Sequence, residues 1–370
     1  MKIIIIGTAY PFRGGIASFN ERLAEELIAM GHEVVIYTFT LQYPNFLFPG
    51  KTQFSDDPKP KHLKIIPILN SVNPLNWISS GLKIKKEKPD LIVSKFWIPF
   101  MGPSLGTVIR LAKSKNTKAI SIIDNIIPHE KRIGDKLLSG YFVRAIDKFI
   151  VMSLSVKEDM KQFTKTKPVI YKAHPIYDNY GEIMSAKKAR EYLNLDTEGK
   201  YVMFFGFIRD YKGLDLLLEA MSDKRIKESG IKCIVAGEYY GNKEKYDKQI
   251  EELDIKDQLI LRTDFISNED VKYYFCAADL IVQPYKTATQ SGISQIAYHF
   301  EKPMIVTNVG GLPEIVEHGK AGYVVEPEAP EISKSILDFF EGKRINDFEE
   351  AVKRKKKEFS WRNFVQKILE

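Results

Sequence analysis

The sequence predicts an α/β chain built as two doubly wound, Rossmann-like parallel-sheet units, and three observations carry that expectation. The first is the opening run Met1-Lys2-Ile3-Ile4-Ile5-Ile6-Gly7, followed by a glycine-rich turn, a helix to Met30 closed by Gly31, and a second apolar run at Val34-Val35-Ile36. Strands that are apolar on both faces and joined through a helix belong to parallel sheets covered on both sides. The second is a fresh start of the same pattern at Tyr201-Val202-Met203-Phe204-Phe205. The third is size: 370 residues with 44% hydrophobic content favour two cores over one.

Composition narrows the setting. Cys233 and Cys276 have neither ligand nor redox spacing and read as ordinary core residues of a reducing interior. The apolar start is too short for a secretory leader, and no run approaches the roughly 18 apolar residues of a membrane span. A soluble, cytoplasmic protein is expected. The formal charge of +7 is unevenly placed: residues 1–170 hold 25 Lys+Arg against 14 Asp+Glu, and the remainder 30 against 34. The densest basic clusters are Lys83, Lys85, Lys86, Lys88 and Lys113, Lys115, Lys118. They are either a solvated surface or the contact for an anionic membrane at its inner face. No nucleic-acid-binding motif accompanies the charge, which sets nucleic acid aside as a partner.

In the first unit, Gly14-Gly15 precedes the first helix without forming the Gly-x-Gly-x-x-Gly fingerprint of dinucleotide sites. Such a pair allows close backbone approach by a diphosphate or a sugar, or is a plain turn. Thr40 to Asn76 reads as irregular, with six prolines interrupting aromatics, and suits an acceptor site, a membrane contact or a local apolar cluster. Leu91-Ile92-Val93 and Lys118–Ile123 are strands, and Asp124, Pro128, His129 and Glu130 follow the second at its carboxyl end. Asp124 and His129 are candidate functional groups there, against a turn cap and a half-buried histidine as alternatives. Phe149-Ile150-Val151-Met152 closes the first sheet, with Ser153 or Ser155 capping the next helix, and Pro168 to Asn179 is the connection between units.

In the second unit, the strand at 201–205 runs into Gly206-Phe207-Ile208-Arg209-Asp210-Tyr211-Lys212-Gly213, placing two cations between a strand end and a helix. Ile231–Ala236 and Gln258–Leu261 are further strands, the first leading to Glu238, and a helix capped by Ser267 or Asn268 follows the second. The stretch the unit is organised around comes next. Asp279-Leu280-Ile281-Val282 is a buried strand, Gln290-Ser291-Gly292 ends a polar loop, and a helix of about ten residues follows before Met304–Thr307. Helix N-termini carry unpaired N–H groups and a positive dipole end, so Ser291, Gly292 and Ile293 suit a phosphate group. A Gly310-Gly311 turn, a short helix containing Glu314, and a strand at Tyr323-Val324-Val325 complete the stretch, with helices at Glu331–Phe340 and Phe348–Lys357 beyond.

The residues Pro284-Tyr285, Gln290-Ser291-Gly292, Lys302-Pro303, Gly310-Gly311-Leu312-Pro313-Glu314 and Gly319-Lys320-Ala321-Gly322 resemble the donor-site signature of the family 4 retaining glycosyltransferases. The resemblance implies a GT-B fold, two Rossmann-like domains facing across a cleft. It assigns 1–172 plus about 358–370 to the acceptor-side domain and 173–357 to the nucleotide-sugar domain. It implies sugar transfer from a UDP- or GDP-sugar to a glycan or lipid-linked acceptor by front-face displacement, in which a donor phosphate oxygen takes the acceptor's proton. Arg209 and Lys212 match the family's catalytic cations. Asp124 stands where many members have a sugar-contacting His, and His129 follows it. Gly14, Gly15, Gln290, Ser291, Gly292 and Ile293 fall to diphosphate and sugar, and Gly206, Glu238, Thr263, Phe265 and Gln295 to the nucleotide.

One feature departs from the family. Its two glutamates with seven residues between them are absent: the places hold Ala288 and Ile296 or, one register on, Thr289 and Ala297. Gln290, Ser291 and Gln295 are the polar replacements at hand. No Asp-x-Asp signature is present, so neither metal nor cofactor is expected. The missing glutamates keep open a non-catalytic nucleotide-sugar-binding relative, and Asp124 with His129 keeps open a sugar-nucleotide epimerase of the same fold.

Overall fold

The computed structural model describes residues 1–44, 53–55, 58–128, 132–288 and 290–370. The chain divides into two compact units, Met1–Ala173 with Trp361–Glu370, and His174–Ser360. Unit 1 is built on β1 (Lys2–Ile6), β2 (Glu33–Leu41), β3 (Ile65–Asn70), β4 (Leu91–Phe96), β5 (Lys118–Ile123), β6 (Lys148–Val151) and β7 (Val169–Tyr171). Their order is β3-β2-β1-β4-β5-β6-β7, and every pairing is parallel. Ile3, Ile4, Ile5 and Ile6 are wholly buried, as expected of a central strand with helices on both faces.

Unit 2 repeats the scheme with β8 (Lys200–Phe205), β9 (Ile231–Ala236), β10 (Leu259–Arg262), β11 (Leu280–Gln283), β12 (Met304–Thr307) and β13 (Gly322–Val325) in the order β10-β9-β8-β11-β12-β13. Strand order reverses between β1 and β4 in unit 1 and between β8 and β11 in unit 2. At such a switch point the loops on either side diverge and leave a crevice at the carboxyl ends, where ligands of open α/β sheets bind.

The last helix, Trp361–Leu369, buries Trp361, Phe364, Val365 and Ile368 along one stripe at helical spacing. Phe19 of the first helix packs on it, its ring centroid 5.0 Å from Trp361 and 5.8 Å from Phe364. Full burial of side chains like Phe364 and Ile368 is worth roughly 1.5–3 kcal/mol each, which holds this C-terminal segment in unit 1.

The edges of the first sheet differ from expectation. Thr40 to Asn76 is not irregular throughout: β2 runs on to Leu41, β3 forms at Ile65–Asn70, and a helix begins at Pro74. Pro67 lies inside β3, and proline, lacking an N–H, is tolerated in a strand only where one side is unpaired, as at this edge. Nor does the sheet close at Phe149–Met152. β7 pairs beyond β6, with Val169 opposite Phe149, inside the stretch read as a linker. The expected helix at Glu314 is a set of turns, with Leu312 N–H bonded to Val309 O, Glu314 to Gly311 and Ile315 to Leu312. Gly310 and Pro313 stop those turns from propagating. The helix after Asp270 has no side-chain cap at its N-cap; Ser267 instead exchanges hydrogen bonds with the carboxylate and N–H of Asp270. Ser153 does cap its helix, accepting from Val156 N–H.

Candidate active site

In unit 2 three loops converge at the switch point. The segment after β8 keeps pairing with the one after β9: Ile208 N–H donates to Glu238 O at 2.8 Å and Tyr240 N–H to Ile208 O at 3.0 Å. It then makes a single helical turn, Asp210–Lys212, ending on Gly213 at φ 68°. A Cβ on Gly213 would lie 1.9 Å from Pro284 O, so only glycine lets this loop meet the one after β11. Lys286 N–H, donating to Tyr211 O at 2.7 Å, ties the same two loops together.

That turn aims Lys212 back over the sheet. A Cβ on Gly206, whose φ is 98°, would sit 3.0 Å from Lys212 Nζ and 3.4 Å from Ile293 Cδ1. The ammonium therefore lies over bare backbone, beside the first turn of helix Gly292–His299. Burial, reinforced by the neighbouring Arg209, pulls Lys212 down from 10.5 to about 8. The Arg209 guanidinium carbon stands 4.1 Å from the Tyr240 ring centroid, and its Nε is buried without a hydrogen-bond partner. Neighbouring carboxylates are engaged elsewhere: Asp210 holds Lys245 at 3.2 Å, and Asp215 holds Lys286 at 2.5 Å. Among the described residues no carboxylate pairs with Arg209 or Lys212. Lys212 beside a helix N-terminus with Arg209 close to it, neither paired with a carboxylate among the described residues, suits an anion.

The helix start is open on that side. Ser291 at the N-cap is extended and makes no side-chain cap, its Oγ lying 3.3 Å from the Tyr285 hydroxyl. Ser294 donates to Gln283 Oε1 at 3.1 Å, anchoring the helix to the end of β11. Gln290 Nε2 and Gln295 Oε1 are buried and unpartnered. A Cβ on Gly292 would come within 3.2 Å of the Tyr177 ring.

The structure thus gathers Arg209, Lys212, Gly206, Ser291, Gly292 and Ile293, with Gln290 and Gln295 on the same loop and helix. Glu238 lies in the adjacent loop, half-buried, with its carbonyl engaged by Ile208. Thr263 and Phe265 are not part of this group. They follow β10, two strands or about 10 Å from β8, and Phe265 is 74% exposed. Among the described residues no three His, Cys, Asp or Glu side chains gather as a metal site.

In unit 1, Gly14 (φ 105°) is the N-cap of helix Gly15–Ala29, and both glycines are exposed. Asp124 follows β5, its N–H bonded to Phe96 O and its carboxylate 2.7 Å from Lys95 Nζ. So Asp124 pairs with a lysine rather than capping a turn. Lys95 is buried, 3.7 Å from the centroid of the Phe19 ring. Burial pushes Lys95 down and Asp124 up, and their mutual attraction opposes both shifts. The sequence gives little sign of Lys95 as a site residue beyond a lysine beside Ser94 in the wholly buried strand Leu91–Phe96. His129 and Glu130 lie outside the described residues.

Comparison with known proteins bears on the family and the fold. Residues 13–173 match the family model "Glycosyltransferase Family 4" and residues 185–359 match "Glycosyl transferases group 1". The chain is 23% identical to an uncharacterized glycosyltransferase, MJ1178, of Methanocaldococcus jannaschii, across 100% of this chain and 97% of that protein. It is 27% identical to the lipopolysaccharide 1,2-N-acetylglucosaminetransferase of Salmonella typhimurium over 49% of this chain and 50% of that protein. The crystal structure of Anabaena Alr3699/HepE in complex with UDP is similar in fold, with a TM-score of 0.75 at 16% identity, covering 100% of this chain and 98% of that one. With both units matched, the chain belongs to the glycosyltransferases of the GT-B fold.

Proposed function

We propose that this chain is a retaining hexosyltransferase that moves a sugar from a UDP- or GDP-sugar to a glycan or lipid-linked acceptor. The observation that carries the reading is the Lys212 ammonium, held over Gly206 and beside Ile293 at the start of helix Gly292–His299 with no counter-carboxylate among the described residues. The chemistry follows from that charge. The bond between the anomeric carbon and the diphosphate oxygen breaks, and negative charge collects on the departing diphosphate. Lys212, Arg209 and the helix N–H groups meet that charge where it develops, which is the most effective place for fixed charges to lower a barrier. The acceptor oxygen bonds to the anomeric carbon on the face the diphosphate leaves, and its proton passes to a phosphate oxygen of that leaving group. No side-chain nucleophile is required.

Gln290 and Gln295, with polar atoms buried and unmatched, take the nucleotide contacts that the absent glutamate pair would make. Glu238 is assigned to the nucleotide, and Asp124, Gly14 and Gly15 to the sugar and acceptor. The UDP in the similarly folded Anabaena structure supports a nucleotide donor, and the Salmonella relative's name supports a glycan acceptor. Arg209→Ala and Lys212→Ala should each lower kcat/KM about 10²- to 10³-fold while leaving thermal stability unchanged. Near-normal transfer by both variants would reject the assignment.

A further inference from the structure

Three helices of unit 1 lie side by side on one face of its sheet: Pro74–Lys86, Gly102–Ala112 and Asp135–Val143. The middle one is packed tightly on both flanks. A Cβ on Gly81 would lie 2.7 Å from Leu111 Cβ, and one on Gly102 would lie 2.4 Å from Leu138 O. Glycines allow these close helix–helix approaches, and while Ile84, Phe142 and Val143 are buried, other large apolar residues of the outer helices are left exposed. Helix Pro74–Lys86 buries Ser80, Gly81 and Ile84 but exposes Leu75, Ile78 and Leu82, which form a single stripe at helical spacing with Val72 just ahead. Leu75 is 77% exposed. On the other flank Leu137 of helix Asp135–Val143 is 76% exposed, Ile133 is exposed just ahead of that helix, and Tyr141 leans over Gly106 of the middle helix. Between the outer helices runs a groove of about 680 Å³, lined by Trp77, Pro103, Leu137, Leu138 and Tyr141 and by the basic Lys136 and Arg144.

An apolar stripe on one side of an apolar groove, with Ile133 and Leu137 exposed on the other, makes a patch of a kind soluble surfaces rarely leave bare. The charge around it names the occupant. The three helices carry Lys83, Lys85, Lys86, Arg110 and Lys136 against one carboxylate, Asp135; just outside them lie Arg132, Arg144 and Glu87, the last already paired with Lys2. A second copy of the chain would bring the same positive charge to the contact. We propose that this face docks on a membrane containing anionic phospholipid, with Leu75, Ile78, Leu82, Ile133 and Leu137 entering the headgroup–acyl boundary, the lysines on phosphate, and the groove admitting an acyl chain beside Trp77. Unit 1 alone carries this surface, and it stands independently of the donor site in unit 2.

The test is vesicle co-sedimentation of the full chain. Vesicles of phosphatidylcholine mixed with phosphatidylglycerol should pull it down and phosphatidylcholine alone should not, with added salt releasing it. Lys83→Gln/Lys85→Gln/Lys86→Gln should weaken partitioning about a hundredfold. Leu75→Ser/Ile78→Ser/Leu82→Ser should weaken it at least about tenfold, and since these side chains are exposed both variants should fold. Brominated acyl chains should quench the emission of the bound protein, and Trp77→Phe should remove most of that quenching. The proposal is overturned if the wild-type chain ignores anionic vesicles, if the variants bind like wild type, or if the chain is a dimer that the serine variant converts to monomer.

Discussion

Raising the pH from 7 to 9 should weaken binding of a nucleotide-sugar about tenfold, and the cause is one ammonium group. Burial and the nearby Arg209 hold Lys212 at about 8 in the ligand-free protein. Only the protonated form attracts a diphosphate, and the bound anion lifts the lysine back toward its ordinary range. The apparent dissociation constant then grows as one plus ten to the power of pH minus eight, a factor of about 1.1 at pH 7 and about 11 at pH 9. The sign follows from the depressed value: a lysine at 10.5 would stay charged over this interval and give a flat response. The diphosphate of a nucleotide-sugar does not itself titrate here. Binding should also take up about half a proton at pH 8, read by calorimetry in buffers of different ionisation enthalpy. Lys212→Arg replaces the group with one that stays charged, so its affinity should be flat from pH 7 to 9. A tenfold slope that survives in Lys212→Arg, or no slope in the wild type, would refute the placement of this charge.

Two further outcomes test the scaffold. Lys95→Ala, which strands the Asp124 carboxylate, should cost about 3–5 kcal/mol in chemical denaturation, and Lys95→Met with Asp124→Leu should recover much of it. Gly213→Ala must place a Cβ at a left-handed backbone position and against Pro284 O, so a loss of at least about 2 kcal/mol and a loss of nucleotide affinity are expected together.

The central strands were legible because burial on both faces leaves a nearly pure apolar run, as in Ile3–Ile6, Ile120–Ile123 and Leu280–Val282. The edges were not. β3 hides behind Pro67, and the three residues of β7 are too few to show a period. Arg209 and Lys212 were legible from their place between a strand end and a helix, and from the family pattern. What the sequence could not state is that Gly206, in a left-handed conformation, leaves the space that the Lys212 ammonium fills. The Lys95–Asp124 pair escaped for a similar reason, since it depends on the register that sets Phe96 opposite Ile123 across β4 and β5. The basic clusters were visible, but their partnership with exposed leucines was not. It depends on which face of helix Pro74–Lys86 the small residues Ser80 and Gly81 turn inward.

A crystal structure of the chain with UDP or GDP bound is the most direct measurement. The diphosphate should lie within hydrogen-bonding reach of Lys212 Nζ, the Arg209 guanidinium and the N–H groups of Gly292 and Ile293. A nucleotide whose phosphates point away from both cations and from that helix would contradict the account.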